Sequence, residues 1–506
     1  MKLSRSDYAI VLCVVILALV ARMLPAPRNV DDSFITFRYS RNIVEGNGFV
    51  YNVGERVLGT TTPLFTLIMA GVSFLTGGEE FPWYALTISA LADATTCVLL
   101  FLLMRRLTGS RWAGALIGVL WAISPMSVTF AVGGMETSVN ILWIALATYL
   151  YVEDRPAWVG VAAGLGLLTR IDAALWIAPL FLYQLVESWR KERRLPLRTW
   201  IAFVLTIAPW FAFSQSYFGS LLSRSLSAKS VAYLIEPLHA LKTLLPRYST
   251  PFFEFETFGS IGAMLGAVIY LLLSVIGILY IARRLPRLLP FVFYAWVYFL
   301  VFSIANPLIF RWYLAPPMPA LMFGIVAGVC AILNPQRRGG LQVVFTALSL
   351  LWIFTSISGW TLHPDHGPDR PAPKMAWHQI ELLYQQIATQ LREKYGVNET
   401  TLVASADIGA VGYFSRARIL DTVGLVSPQA TTYYPLPRDL IAEGMNLAIP
   451  PALILENQPA FLVTMEGFVR LGLEKDATFK QEYGDPVEVI PFEFYGTDMR
   501  VYQRRQ

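Results

Sequence analysis

The sequence has few charged residues, few histidines and few cysteines for its length. Only 15% of its 506 residues are charged, whereas a soluble domain usually has about 25%. With four histidines in the whole chain, a histidine-based metal enzyme is a poor fit. The three cysteines (Cys13, Cys97 and Cys330) all lie within apolar runs, which argues against a disulfide framework and against a structural metal.

Hydrophobic residues are correspondingly abundant, at 55% of the chain, and long uncharged stretches of them recur. Repeated stretches of this kind predict multiple membrane spans. The formal net charge is +5, yet the basic residues occur in short clusters between the apolar runs and not over one domain. Such clusters are typical of cytoplasmic loops, so the positive charge indicates membrane topology and not a nucleic-acid partner.

The basic clusters predict which loops face the cytoplasm. The first apolar run, Tyr8 to Leu24, would suit a signal peptide if it stood alone. Because many spans follow it, we interpret it as an uncleaved first helix with a cytoplasmic N-terminus. The later clusters that we expect in the cytoplasm are Arg105–Arg106 with Arg111, 190–198, Arg283–Arg284 with Arg287, and Arg337–Arg338.

All these clusters reach the cytoplasm only if the segment 63–77 does not cross the membrane. Its apolar part has about a dozen residues, fewer than the roughly 17–25 of a helical span, so we expect an interfacial helix there. About eleven spans remain, and because two of them are short the number could differ by two. An odd number of spans places the C-terminus outside, opposite the N-terminus. The predicted spans are 8–25, 83–104, 111–131, 138–152, 157–170, 173–188, 199–217, 260–281, 290–305, 313–332 and 341–358.

The composition changes after Trp360. Residues 361–374 are rich in proline and charge, which predicts a linker between a membrane domain (1–360) and a C-terminal domain (375–506). The latter has an amphipathic helix pattern at 375–394 and strand-like runs at 401–404, 461–464 and 487–490. The predicted fold class is a polytopic α-helical membrane protein with a C-terminal extracytoplasmic α/β domain.

An acidic pair, Asp31 and Asp32, lies in the long loop 26–62 that this topology places outside. Two neighbouring carboxylates in a partly desolvated site repel each other, which raises one pKa and leaves a usable general base. A glycosyltransferase needs such a base to deprotonate the hydroxyl that attacks the sugar. The alternative is that one of the pair simply caps the helix that begins near Ser33.

Further charged residues are expected on the same membrane face. Each has a plain structural explanation: a charge at a helix N-terminus, a local ion pair, or a basic side chain that reaches the lipid headgroups. A prenyl phosphate held at the interface would nevertheless need a few cations at this depth. These candidates are Glu136, Arg170, Asp172, Arg224, Lys229 and Arg311.

The motifs around these residues resemble those of the GT-C superfamily of polyprenyl-phosphate-dependent glycosyltransferases, and most closely the mycobacterial terminal arabinofuranosyltransferase group. The likeness covers most of the membrane domain, and its most specific part is the loop from Asp31 to Leu64. It includes a Gly-Met-Glu-Thr turn, an Arg-x-Asp turn, an Ala-Lys pair and an Arg-aromatic-Tyr segment. The matching residues are Asp31, Asp32, Arg38, Tyr39, Glu136, Arg170, Asp172, Lys229 and Arg311.

The resemblance implies an inverting glycosyltransferase in a bacterial plasma membrane. Its donor would be a lipid-linked sugar and its acceptor a glycan or lipid of the cell envelope. One of the acidic pair, with Asp31 preferred over Asp32, would be the base, and Arg311, Lys229 and Arg170 would stabilise the departing phosphate. Arg38, Tyr39, Glu136, Asp172 and Arg224 would also bind substrate. No obligatory metal is implied, although the acidic residues leave a divalent ion open.

Two other functions fit parts of the sequence. A transporter or flippase of a lipid-linked sugar would show internal repeats, and the sequence has none that we detect. A membrane-anchored glycan-binding protein is suggested by aromatic residues of the C-terminal domain, although aromatic residues in an α/β domain are more often core. One departure from the family leaves the sugar open: Ser223-Arg224-Ser225 stands where relatives have Pro-Asn-Thr.

Overall fold

The computed structural model describes residues 3–253, 255–334, 339–360, 376–492 and 497–505. The predicted linker at 361–374 and the cluster Arg337–Arg338 lie outside the described residues.

The described residues up to 360 form helices joined by short loops. Their bounds are α1 (Arg5–Met23), α2 (Asp31–Val44), α3 (Pro63–Thr76), α4 (Phe81–Thr108), α5 (Arg111–Ile123), α6 (Pro125–Val132), α7 (Thr137–Val152), α8 (Pro156–Thr169), α9 (Ala174–Glu192), α10 (Leu197–Phe218), α11 (Ser225–Ala232), α12 (His239–Ser249), α13 (Phe255–Arg284, with a kink at Gly259), α14 (Leu289–Ala305), α15 (Met318–Leu333) and α16 (Gly340–Ser358).

Within the described residues, six helices are long and apolar enough to cross a membrane. A seventh candidate is the pair α5 and α6, which bends by 47° where Pro125 begins the second helix. Four shorter apolar helices (α3, α7, α8 and α15) accompany them. The prediction of a polytopic helical membrane protein is confirmed, and each predicted span overlaps a helix. The number of crossings stays a prediction, and the last apolar helix before α16 begins at Met318 and not at 313.

Small residues let several of these helices pack closely. A Cβ at Gly160 of α8 would lie 2.1 Å from the Thr199 carbonyl oxygen of α10. On α15, a Cβ at Gly328 would lie 2.0 Å from the Leu273 carbonyl oxygen of α13. Membrane helices associate through such close backbone contacts because lipid offers no hydrophobic driving force between them. The packed helices form a rigid base for the loops at the end where α2 begins.

The C-terminal domain is a five-stranded mixed sheet with helices, as the α/β prediction required. Strand order is β2-β1-β3-β5-β4, with β1 parallel to β2 and β3, and β5 antiparallel to β3 and β4. The sequence pattern did not indicate β2 and β5. The elements are α17 (Ala376–Glu393), β1 (Leu402–Ser405), α18 (Gly409–Ser415), β2 (Arg418–Asp421), α19 (Pro451–Asn457), β3 (Phe461–Met465), α20 (Ala477–Glu482), β4 (Glu488–Phe492) and β5 (Thr497–Gln503).

The C-terminal domain packs directly on α2. Phe34 of α2 contacts the rings of Tyr413 and Phe414 on α18, with centroids 5.4 and 5.1 Å apart. Phe37 of α2 continues this contact toward Phe81 at the start of α4. A shared apolar core therefore joins the two domains around α2, and the residues on the remaining face of that helix are free to line a cavity.

Candidate active site

The carboxylate of Asp32 forms an ion pair with Lys229 at the N-terminal end of α2. Lys229 lies on α11, and its Nζ is 3.3 Å from Asp32 Oδ2 and 4.4 Å from the ring centre of Phe310. Burial is the largest single influence on the pKa of Lys229 and lowers it, but the charge and hydrogen bond of Asp32 and the nearby Tyr313 and Asp421 together make the net shift upward. Both side chains are partly exposed, at 21% for Lys229 and 29% for Asp32. The lysine thus stays charged while the pair remains accessible.

Arg170 is held between two carboxylates in a second, more buried cluster. It binds Asp172 through two parallel hydrogen bonds of 2.9 Å, and its Nη1 lies 2.7 Å from Glu136 Oε1. The ring of Tyr313 lies 4.8 Å from the guanidinium carbon. Bidentate contacts fix the guanidinium plane and not just the charge. This cluster therefore presents a cation of defined orientation, partly neutralised by its neighbours.

These two clusters line a common space, which we call the first cavity. It has a volume of about 270 Å³ and includes Asp32, Lys229, Glu136, Arg170 and Asp172. Hydroxyl groups of Thr60, Thr61 and Thr62 from the loop before α3 complete the polar part of its wall. Five of the residues predicted from sequence are thus brought together in one place.

A larger space, the second cavity, opens on the other side of the Asp32–Lys229 pair. Its volume is about 780 Å³, and much of its wall comes from the C-terminal domain. Seven residues line both cavities: Asp32, Ile35, Lys229, Leu308, Phe310, Trp312 and Leu425. The pair therefore stands at the boundary between two compartments and can reach a ligand in either.

An apolar groove adjoins the first cavity. It is lined by Leu167, Leu168, Trp210 and Phe211 among others, and it shares Thr60, Thr61 and Ile171 with that cavity. Its wall is almost wholly hydrocarbon and aromatic, so the groove suits an apolar chain whose polar end lies beside Lys229 and Arg170.

Asp31 lines the second cavity beside Asp32 but is absent from the described lining of the first. Its two carboxylate oxygens accept hydrogen bonds from the backbone N–H groups of Gly409 and Ala410, at 2.7 and 2.8 Å. Burial, followed by the charge of Asp407, raises the pKa of Asp31 to about 8. Both oxygens are engaged by the C-terminal domain. The sequence-based preference for Asp31 as the base stays a prediction, and Asp32 is the member of the pair that lines both cavities.

Arg38 and Tyr39, predicted to bind substrate, lie elsewhere. Arg38 is buried and donates to the carbonyl oxygens of Tyr51, Gly412 and Ala417, at 2.8, 2.7 and 2.6 Å. The Tyr39 hydroxyl donates to the Val57 carbonyl at 2.7 Å and accepts from Gly59 N–H at 3.0 Å. Arg38 thus joins the first loop to the C-terminal domain, and Tyr39 supports the loop that carries Thr60 to Thr62.

Arg224 and Arg311 are also absent from the described linings of the two cavities. Arg224 is exposed, and its backbone N–H donates to the Leu58 carbonyl at 3.0 Å. Arg311 is half-buried in a short 3-10 helix, and the lining of both cavities is formed by its neighbours Phe310 and Trp312. Of the basic residues predicted from sequence, Lys229 and Arg170 are therefore the two in the described lining of the first cavity.

Sequence reasoning missed an acidic group contributed by the C-terminal domain. Glu381, Tyr384 and Asp407 line the second cavity, and Tyr384 donates a 2.6 Å hydrogen bond to Asp407. Burial is the main cause that raises the pKa of Glu381 well above its usual range, and the charges of Asp31 and Asp407 add to it. No local pattern in the sequence indicated that this group lies beside the acidic pair.

Among the described residues, no group of three or more histidine, cysteine, aspartate or glutamate side chains is placed to hold a metal ion. The expectation that no metal is obligatory stays a prediction. The cations that could balance an anionic leaving group in the first cavity are Lys229 and Arg170.

Family models match two parts of the chain. Residues 60–213 match a dolichyl-phosphate-mannose-protein mannosyltransferase family, and residues 374–502 match a domain of unknown function (DUF8728). The first match includes Glu136, Arg170 and Asp172 of the first cavity, and the second includes the whole sheet except its last residue.

Two curated relatives are named terminal beta-(1->2)-arabinofuranosyltransferase. The one from Mycobacterium tuberculosis is 28% identical over 223 residues, which is 40% of this chain and 35% of the relative. The one from Corynebacterium glutamicum is 30% identical over 125 residues, or 24% of this chain and 18% of the relative. The matched region is thus about a third or less of either relative's length.

The crystal structure of ArnT from Cupriavidus metallidurans in the apo state superposes on nearly the whole chain. The TM-score is 0.59 with 15% identity, and the match covers 98% of both chains. The same protein bound to undecaprenyl phosphate gives a TM-score of 0.56 with 16% identity, over 98% of this chain and 97% of that one. At this identity the likeness establishes the fold, including the arrangement of the membrane helices with a C-terminal domain.

Proposed function

Because the chain belongs to the GT-C superfamily, we propose that it is a glycosyltransferase that uses a polyprenyl-phosphate sugar as its donor. The observation that carries the proposal is the position of the Asp32–Lys229 pair, which lines two adjoining cavities. A group-transfer enzyme needs one compartment for each substrate and a base where they meet. The pair offers both a carboxylate and a cation at that boundary.

We assign the donor to the first cavity. Its phosphate would lie against Lys229 and Arg170, because cations at a fixed position stabilise an anion that gains charge as it leaves. The prenyl chain would lie in the adjoining apolar groove, whose lining of Leu, Trp and Phe side chains suits hydrocarbon. A structural neighbour is known bound to undecaprenyl phosphate, a ligand of the same chemical class.

We assign the acceptor to the second cavity. Its volume of about 780 Å³ can hold a sugar unit, and His239, Arg438 and Asn446 offer polar groups for hydroxyls. A glycan or lipid of the cell envelope fits this assignment, with the arabinofuranosyl group of the two relatives as a first donor sugar to test. The basic clusters support a plasma-membrane location with both cavities on the outer face.

In the proposed reaction, Asp32 removes the proton from the acceptor hydroxyl as its oxygen bonds to the anomeric carbon of the sugar. The bond between that carbon and the phosphate oxygen breaks, and the electron pair leaves with the polyprenyl phosphate. Lys229 turns from Asp32 toward the phosphate, which frees the carboxylate for its role as base. Because attack and departure lie on opposite sides of the carbon, a single displacement inverts its configuration.

The proposal is tested by sugar transfer with the purified protein in lipid, from a panel of radiolabelled polyprenyl-phosphate sugars. Asp32→Asn should reduce the rate by roughly 10³-fold, within the 10²–10⁴-fold that a general base typically contributes. Asp31→Asn keeps one accepting oxygen, for the N–H of either Gly409 or Ala410, loses the other hydrogen bond and should retain a measurable rate. Thermal unfolding of each variant confirms that it is folded.

Two results would contradict this assignment. Equal rates for wild type and Asp32→Asn would remove Asp32 as the base. Loss of transfer in Asp31→Asn with a normal rate in Asp32→Asn would return the role to Asp31.

A further inference from the structure

Two helices from different domains meet at their N-termini next to the candidate site. They are α2, which carries Asp32, and α18 of the C-terminal domain. The N-cap residues are Val30 and Ile408, and neither provides a side-chain cap. The first backbone N–H groups of any helix lack partners within it and must find them elsewhere. The structure shows where each of these two helices finds them.

Each helix is capped by the other domain. The N–H of Asp31, at the start of α2, donates to Glu381 Oε1 of α17 at 2.5 Å. In return, the carboxylate of Asp31 accepts from the N–H groups of Gly409 and Ala410, at 2.7 and 2.8 Å. The partners are at least 350 residues apart in sequence. This reciprocal capping orients the first turn of α2 relative to the C-terminal domain.

The contact leaves no room for adjustment. A Cβ at Gly409 would lie 1.8 Å from the Asp31 carbonyl oxygen and 2.7 Å from its Oδ2. One turn later, a Cβ at Gly412 would lie 2.0 Å from the hydroxyl of Tyr51. A larger residue at either position would force these neighbours to move, so glycine is what allows α18 to approach Asp31 and Tyr51 this closely.

Glu381 is built into this contact. Its side chain is 6% exposed, and burial with nearby acids holds its pKa well above the usual range. Its Oε1 accepts the Asp31 hydrogen bond, and its burial beside the charges of Asp31 and Asp407 favours the neutral carboxyl. Glutamine has the same shape and the same accepting oxygen, whereas methionine has similar volume and no strong acceptor.

We infer that Glu381 is a positioning residue for sugar transfer: by holding the N–H of Asp31 it fixes the first turn of α2 and, with it, the carboxylate of Asp32. The inference rests on the proposed function for its catalytic meaning. It also gives the domain of unknown function a role, since this domain would complete the active site from outside the membrane part.

The test uses the full-length protein in lipid and compares Glu381→Met with Glu381→Gln. Gln386→Ala, at an exposed position of the same helix, is the control. Two quantities are measured: the kcat and donor KM of transfer, and hydrogen exchange at the backbone amides of 31–34. Glu381→Met should lower kcat by about 10²-fold with little change in KM, because a displacement of about 1 Å at a reacting group has this effect. Exchange at 31–34 should become faster, and Glu381→Gln should restore both quantities.

A merely structural role predicts a different pattern. Glu381→Met would then unfold at a lower temperature but keep a normal kcat below that temperature, and this result would overturn the inference. Equal losses of kcat in the Met and Gln variants would also overturn it. If wild type transfers no sugar, the proposed function fails by itself. Exchange at 31–34 still decides the capping in that case: faster exchange in Glu381→Met supports it and unchanged exchange refutes it.

Discussion

Two ion pairs in this molecule have similar chemistry and different surroundings. Arg22 of α1 binds Asp93 of α4 at 2.9 Å inside the membrane helices, with side chains 0% and 1% exposed. Lys229 binds Asp32 at 3.3 Å with side chains 21% and 29% exposed, facing two cavities. The first pair is sealed among its hydrogen-bond partners, whereas the second is open to ligands.

The partners of Arg22 explain why the first pair exists. Proline at 125 has no N–H, so the helix break between α5 and α6 leaves the carbonyls of Trp121 and Ala122 without their usual donors. Arg22 donates to the Ala122 carbonyl at 2.5 Å and to the hydroxyl of Ser127 at 2.6 Å. Backbone groups at membrane depth must be satisfied by the protein itself. The hydrogen bonds of Arg22 thus all serve the packing of these helices. The comparison teaches that a buried charge indicates a functional site only where part of its hydrogen-bonding capacity faces a cavity.

The largest expected effect comes from breaking the sealed pair. Asp93→Ala leaves Arg22 charged and buried, which should lower the free energy of unfolding by about 3–5 kcal/mol. The double variant Arg22→Met with Asp93→Leu should recover part of this loss. Unfolding in detergent, followed by tryptophan fluorescence, measures the change, and Arg155→Met at an exposed position is the control. An Asp93→Ala protein as stable as wild type would mean that the sealed pair contributes nothing to the fold.

The open pair should respond in the opposite way. Lys229→Met removes a cation from the first cavity, and kcat should fall roughly 10²–10³-fold, as when one transition-state donor is removed. Its unfolding temperature should change little, because Asp32 stays partly hydrated once its partner is gone. Lys229→Arg retains the charge and should keep more of the rate. If Lys229→Met unfolds at a much lower temperature than wild type, the open pair stabilises the fold just as the sealed pair does, and the comparison is wrong.

The sequence predicted the membrane helices well because hydropathy and loop charge are local signals. The break at Pro125 was missed within a single predicted span, although proline is itself the physical reason for the break. We also expected five charged residues to lie close together, because the predicted topology places all of them at the same membrane face. They are Asp32, Glu136, Arg170, Asp172 and Lys229. Long-range contacts such as Glu381 with Asp31 leave no periodic signal, and so they could not be predicted.

The position of Arg38, outside the described linings of both cavities, has a helical explanation. Asp32, Ile35 and Thr36 lie three to four residues apart and line the first cavity. Phe34, Arg38 and Arg41 have the same spacing on another face and contact α18. The sequence motif of α2 therefore contributes to two surfaces, the first cavity and the contact with α18. A resemblance to the family assigns one function to the whole motif. Only the direction of each side chain separates the residues that line the first cavity from those that contact the C-terminal domain.

The smallest expected effect is that of a substitution at Glu136, whose surroundings are intermediate between those of the sealed pair and the open pair. Like the sealed pair it is buried, and its ion pair with Arg170 is 2.7 Å long, yet it lines the first cavity. Glu136→Gln keeps an oxygen for Arg170 and loses the charge, so the free energy of unfolding should fall by roughly 1.5–2 kcal/mol, at the lower end of the range for hydrogen bonds to charged groups. Arg170 becomes less neutralised, because Asp172 is then its only carboxylate among the described contacts. A donor phosphate should bind more tightly.

Donor KM is therefore the deciding measurement for Glu136→Gln. A lower KM with a slightly reduced unfolding temperature means that Glu136 tunes the charge of Arg170, as its geometry indicates. A higher KM would mean that Glu136 binds the donor sugar directly, as the sequence resemblance implied. In that case Arg170→Lys should raise KM less than Glu136→Gln does. Arg170→Lys loses the two parallel hydrogen bonds to Asp172 but keeps a cation for the donor phosphate, whereas Glu136→Gln loses the contact with the sugar.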